Sequence, residues 1–141
     1  MLSNSCKYGI RAVLFLASKK EDNKKYGVKE IARTLDVPQP FLSKILQELS
    51  KKDLVQSTKG PHGGFYLNEK NLDNNLMSVI EAIDGENPMS TCVLGLSSCS
   101  SKAPCSIHEQ AVKSRTAFYS VFKEQSIKQI ADSIQAHNLR F

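Results

Sequence analysis

Apolar positions recur with a helical rhythm along most of this chain. Over residues 3–19, Cys6, Ile10, Val13, Leu14 and Ala17 fall at i, i+4, i+7, i+8 and i+11, which predicts a helix with a core-facing stripe. Phe15 and Leu16 add apolar surface on a second side, so this helix should touch more than one neighbour. KKEDNKK at 19–25 interrupts the rhythm as a charged, solvated loop. A second helix is predicted over 28–35 with Ile31 and Leu35 inward, and a turn over Asp36–Gln39 follows it. Pro38 cannot continue the preceding helix, whereas Pro40 suits the first turn of the next. That third helix, 39–51, puts Phe41, Leu42, Ile45, Leu46 and Leu49 on one side and Gln39, Ser43, Lys44 and Gln47 on the other.

The rhythm then changes. Leu54 to Lys59 and Phe65 to Leu67 are β-rich and flank the Gly-rich segment 60–64, the pattern of a hairpin. Helical spacing returns at 76–84, with Gly85 as its stop, and Asn87-Pro88 breaks the chain again. A long helix is predicted from about 105 to 124, with the stripe Val112, Ala117, Phe118, Val121 and Phe122. Ser126 caps a last helix that turns Ile127, Ile130, Ala131 and Ile134 to one face.

Two short helices joined by a tight turn, the second with a polar face, form a helix-turn-helix, and a hairpin directly after it is a wing. The expected fold is mainly α: a winged helix-turn-helix with a two-stranded β wing, plus a long C-terminal helix for dimerisation. The chain divides at residue 70. Residues 1–70 form the reading head; residues 71–141 hold a cysteine loop (86–105) and the pairing helices, packed with the first part as one compact unit. In such a head, Gln39, Ser43 and Lys44 are best placed for base edges or phosphates, with Gln47 as a further candidate. Lys59 and His62 would brace the wing against the backbone.

Charge supports that assignment. Residues 1–70 hold thirteen Lys and Arg against seven Asp and Glu, net +6; residues 71–141 hold six against seven, net −1. A basic half is the footprint of a polyanionic partner such as double-stranded DNA. No run approaches the roughly 20 apolar residues of a membrane span. The N-terminal apolar stretch is broken by Arg11 and ends in two lysines, unlike a secretory leader. The protein is therefore expected in the cytoplasm.

Cys92, Cys99 and Cys105 fall within TCVLGLSSCSSKAPCSIH (91–108), with His108 close behind. In a reducing compartment such clustering points to metal or redox chemistry rather than disulfides. Thiolates are soft ligands for iron–sulfur clusters, zinc or copper(I), and imidazole suits iron and zinc. Three Cys and one His are also a common zinc set, but structural zinc sites usually contain a Cys pair two to four residues apart, which this loop lacks. A zinc-stabilised, partner-binding protein is thus the alternative from another class. Cys6 lies on the apolar stripe and reads as a small buried hydrophobe. No paired carboxylates, activated nucleophile or phosphate-cradling loop stands out, so no enzyme is expected.

Taken together, these residues resemble the IscR, NsrR and CymR group of winged-helix bacterial regulators. The resemblance covers nearly the whole chain. It rests on YGIRAVLFLA (8–17), Ile31-Ala32, PQPFLSKILQELSKKDLV (38–55), KGPHGGFYL (59–67), VIEAIDG (79–85) and the cysteine loop. It implies a homodimer paired through the long helix on a palindromic operator. The IscR-like branch implies a 2Fe–2S cluster on three cysteines and a histidine three residues after the third. Cys92, Cys99, Cys105 and His108 match, with one extra residue in the first spacing. The NsrR-like branch implies a nitric-oxide-sensing 4Fe–4S cluster whose fourth ligand is an acidic residue just before the YG stretch. Lys7 stands there in this chain, which favours the histidine-ligated form. CymR-like members lack these cysteines.

Overall fold

The computed structural model describes residues 2–85 and 90–141; the Asn87-Pro88 break and the first residues of the 86–105 segment lie outside them. The centre of the fold is α1 (Asn4–Ser18), nine of whose residues are buried. Ser3 caps it by accepting the Cys6 amide at 3.0 Å. At Gly9 any side chain would run into Ile83 of the fifth helix and meet Ile45 of the third at 3.2 Å. This glycine is what lets α1 lie close against both.

A short 3₁₀ turn, Lys20–Asp22, leads towards α2 (Val28–Leu35) and α3 (Gln39–Lys51), the helix-turn-helix pair. Arg11 donates to the Leu35 carbonyl at 2.5 Å and so closes the end of α2. Ile31, Ala32 and Leu35 are buried from α2, and Leu42, Ile45, Leu46 and Leu49 from α3. Phe41 departs from the expected stripe: it is 60% exposed. It sits about 100° round the helix from Leu42, in a first turn that overhangs the edge of the core.

The wing is an antiparallel pair, β1 (Gln56–Thr58) and β2 (Gly64–Tyr66), with Ser57 opposite Phe65. Tyr26 bridges to Phe65 through two backbone bonds of 2.9 and 2.8 Å, tying the wing to the entry of α2. Gly64 lies at φ +144, and a side chain there would come within 2.8 Å of the Tyr26 backbone. Only glycine allows this bridge.

Directly after the wing comes a helix that periodicity did not reveal, α4 (Glu69–Asp73), held by a capping box between Asn68 and Asn71. Asn71 is fully buried. Its amide donates to the Asp53 carbonyl at 2.8 Å, and its oxygen accepts from the Asn68 amide at 3.0 Å and from Gln56 at 3.3 Å. One side chain thus joins the end of α3, the wing and α4. Asn71→Ala leaves these partners unpaired inside the protein and should cost about 2–3 kcal/mol, read from urea denaturation.

Three helices complete the chain: α5 (Leu76–Asp84), α6 (His108–Lys123) and α7 (Ile127–His137). Lys52 reaches from the end of α3 to the Ala82 carbonyl of α5 at 2.6 Å. The chain returns to its start through α7, which packs on α1 and α4. Gln135 donates to the Ser18 carbonyl at 3.0 Å, and Lys20 pairs with Asp132 at 2.5 Å. By contrast α6 stands at the margin, resting on α5 with only Tyr119 buried. Phe118 and Phe122 are half-buried against the core and meet edge to face, their ring centroids 5.3 Å apart. The stripe is therefore split: both phenylalanines turn inward, while Ala117, Val121 and Val112 stay exposed.

Candidate functional site

Successive tight turns bring the cysteines together. Gly95, at φ +73, donates to the Cys92 carbonyl at 2.9 Å, and Cys99 donates to the Leu96 carbonyl at 3.3 Å. Ser100 and Ala103 exchange backbone bonds of 3.1 and 3.2 Å, and His108 donates to the Cys105 carbonyl at 3.1 Å. The helix begins only at His108, so Cys105 belongs to the loop rather than to a first helical turn. The three Sγ atoms lie within 4.8 Å of one another. Cys92 and Cys105 are 3.8 Å apart, and Cys99 meets His108 Nδ1 at 3.1 Å.

All four cysteines carry free thiols. The Leu96 amide, joined by that of Leu94 and the neighbouring thiols, pulls the Cys92 pKa down to about 7 despite desolvation. Cys99 moves up. The Cys105 amide is its largest influence and lowers it, but desolvation and the two other thiols outweigh that bond. Arg115 lines the same cleft and donates to the Thr91 carbonyl beside Cys92. Neither Arg115 nor Tyr119 carried a signal in the sequence pattern; each becomes legible only when α6 is seen to rest beside the loop.

Cys6 behaves differently. Burial, then the nearby Asp84 carboxylate, pushes it up to about 12. Because the thiolate is the reactive form, metal-free folded protein should take up iodoacetamide first at Cys92 and spare the buried Cys6 at pH 8. Mass mapping before and after denaturation checks this.

The DNA-facing candidates lie on α3 and the wing. Gln39, Lys44 and Gln47 are exposed on α3, and Ser43 is half-buried with Gln47 3.5 Å from its hydroxyl. Lys59 and His62 are exposed at the wing tip. No helix among the described residues is long and apolar enough to cross a membrane.

Residues 2–133 match the family model of Rrf2, described as an iron-dependent transcriptional regulator. This chain belongs to the Rrf2 family. A protein of Aquifex aeolicus named as an HTH-type transcriptional regulator is 31% identical over 139 residues, covering 97% of this chain and 95% of its own. The NsrR regulator of Oceanobacillus iheyensis is 26% identical over 124 residues, 87% of this chain and 84% of its own. Two solved structures share the fold. CymR, the global cysteine regulator of B. subtilis, superposes with a TM-score of 0.76 at 22% identity, covering 94% of this chain and 97% of its own. T. potens IscR gives 0.72 at 21% identity, with 96% and 90% covered. Like its Rrf2 relatives this chain is a DNA-binding transcriptional regulator, not an enzyme, and its fold is the expected winged helix-turn-helix.

Proposed function

We propose that this Rrf2 protein is a cytoplasmic homodimer whose affinity for a palindromic operator is set by a 2Fe–2S cluster held by Cys92, Cys99, Cys105 and His108. The observation that carries this reading is the convergence of Cys92, Cys99 and Cys105, whose sulfurs lie within 4.8 Å of one another, with His108 Nδ1 3.1 Å from Cys99. Zinc is weighed against iron by the spacing, since the loop lacks the Cys pair two to four residues apart that structural zinc sites usually contain. The donor set, soft thiolates with one imidazole, suits iron, and the family's description as iron-dependent agrees. A 4Fe–4S nitric-oxide or redox sensor remains the alternative within the family, against which stands Lys7 in place of an acidic residue.

When bound, the cluster supplies a centre that gains and loses electrons or ligands. The protein's own residues then carry the signal. Arg115 tethers Thr91 to α6. Beside it, Asp84 accepts from the Ser3 amide at 3.0 Å, pinning the end of α5 to the start of α1. The loop therefore bears on the two helices against which α3 is packed. Ordering the loop would bias how the heads are set, an effect of about 1–3 kcal/mol in typical couplings.

In the reading head, residues 1–70, Gln39, Ser43, Lys44 and Gln47 address the major groove, and Lys59 and His62 the backbone. Residues 71–141 sense and pair. The decisive experiment is the iron, zinc and acid-labile sulfide content of anaerobically purified protein with its visible spectrum. About two irons and two sulfides per chain are expected for this cluster; four of each would favour the alternative, and colourless zinc protein would sink both. Duplex affinity should fall steeply with salt, log K dropping by about 0.9 per phosphate neutralised for each tenfold rise. Lys59→Ala should weaken all sequences alike, while Gln39→Ala changes which sequence is preferred. Affinity flat from 50 to 200 mM salt (roughly the range over which such binding collapses) would remove the reading-head assignment.

A further inference from the structure

We propose that Phe41 reads a thymine methyl group in each operator half-site and is a specificity-determining residue of the reading head. The inference rests on α3 entering the major groove. Among the residues of α3 it is the large apolar side chain that the core leaves out, 60% exposed while Leu42, Ile45, Leu46 and Leu49 are buried. Single apolar residues on a surface are ordinary, so position decides the matter. Phe41 lies in the first turn of α3, the part of a recognition helix that meets base edges. Its exposed neighbours are Gln39, Pro40 and Lys44.

The ring makes no hydrogen bond, so facing the donors and acceptors of the groove would strip them of water without replacing it. The one apolar group on the major-groove edge is the C5-methyl of thymine. Against that methyl the ring loses nothing and both surfaces leave water. Cytosine would place an amino donor against the ring and is disfavoured. Lys44, one turn on, can hold a neighbouring guanine or phosphate, so the two side chains would read adjacent features.

Uracil isolates the methyl group, since it keeps every hydrogen-bonding edge of thymine. A duplex selected by the full-length protein from a random pool is resynthesised with each thymine in turn replaced by uracil. Affinities are measured at one salt concentration. At one thymine per half-site the swap should weaken wild-type binding about four-fold, the value of burying one methyl group. Phe41→Ala should bind thymine and uracil duplexes equally, while Phe41→Leu keeps most of the preference. Because the ring is exposed, both variants should melt as wild type does, and Phe41→Gln, which should also bind thymine and uracil duplexes equally, carries the test if Phe41→Ala does not fold. A thymine preference unchanged in Phe41→Ala or Phe41→Gln, or no thymine with such a preference, overturns the inference while leaving the reading head in place. If the protein selects no duplex, both are overturned.

Discussion

Replacing Ala117 and Val121 together by Asp should yield monomers whose operator affinity is lower by about 100-fold or more. On α6 the inward side is occupied: Tyr119 is buried, and Phe118 and Phe122 press half-buried on the core. The outward side is weakly polar and small. Gln110, Ser114, Ala117 and Val121 follow at i, i+4, i+7 and i+11, all exposed, Val121 at 65%. Small side chains let two helices approach to about 8–10 Å. In the proposed homodimer a two-fold axis would bring the same stripe of a second copy against this one, so each substitution acts twice. Four carboxylates would then face one another where apolar contact was expected. A dimer holds two half-sites, and once one is bound the second sees an effective concentration in the millimolar range. A monomer forfeits that gain. Sedimentation and gel shifts at fixed salt read both effects. Aspartate at Phe118 and Phe122 would be a poor substitute, since it also strikes the core and lowers the melting temperature directly. A variant that stayed dimeric would place the interface elsewhere.

The helix-turn-helix and wing were legible because each local signal agreed with the fold. Pro38 and Pro40 bracketed a turn, and Gly60 to Gly64 marked a hairpin between β-rich segments. Convergence of the thiols was legible as chemistry, since soft ligands cluster for a reason. What escaped were features set by tertiary contact. Phe41 carries the right hydrophobicity for the core, yet helix α3 overhangs it. Asn71 looks like a loop residue, and its burial depends on meeting Asp53 and Gln56 from other elements. The stripe of α6 read as one surface because a wheel cannot say which half of a broad apolar arc meets the core. The long helix begins three residues after Cys105, because the single turn bond from His108 to the Cys105 carbonyl does not extend the helical ladder back through the loop.

In the proposed cluster His108 would set the character of the metal centre, and substitution there tests that role. His108→Ala removes one of four ligands and should leave little cluster after anaerobic purification. His108→Cys keeps four and should retain it. An imidazole is neutral where a thiolate is negative, so the histidine form holds its added electron more readily. Rieske centres, with two histidines, lie several hundred millivolts above all-cysteine ferredoxins; with one, a fall of roughly 100 mV or more is expected on going to cysteine. The contact between His108 Nδ1 and Cys99 Sγ, 3.1 Å, sets the imidazole beside the thiols. An Ala variant with unchanged iron, spectrum and potential would remove His108 from the ligand set.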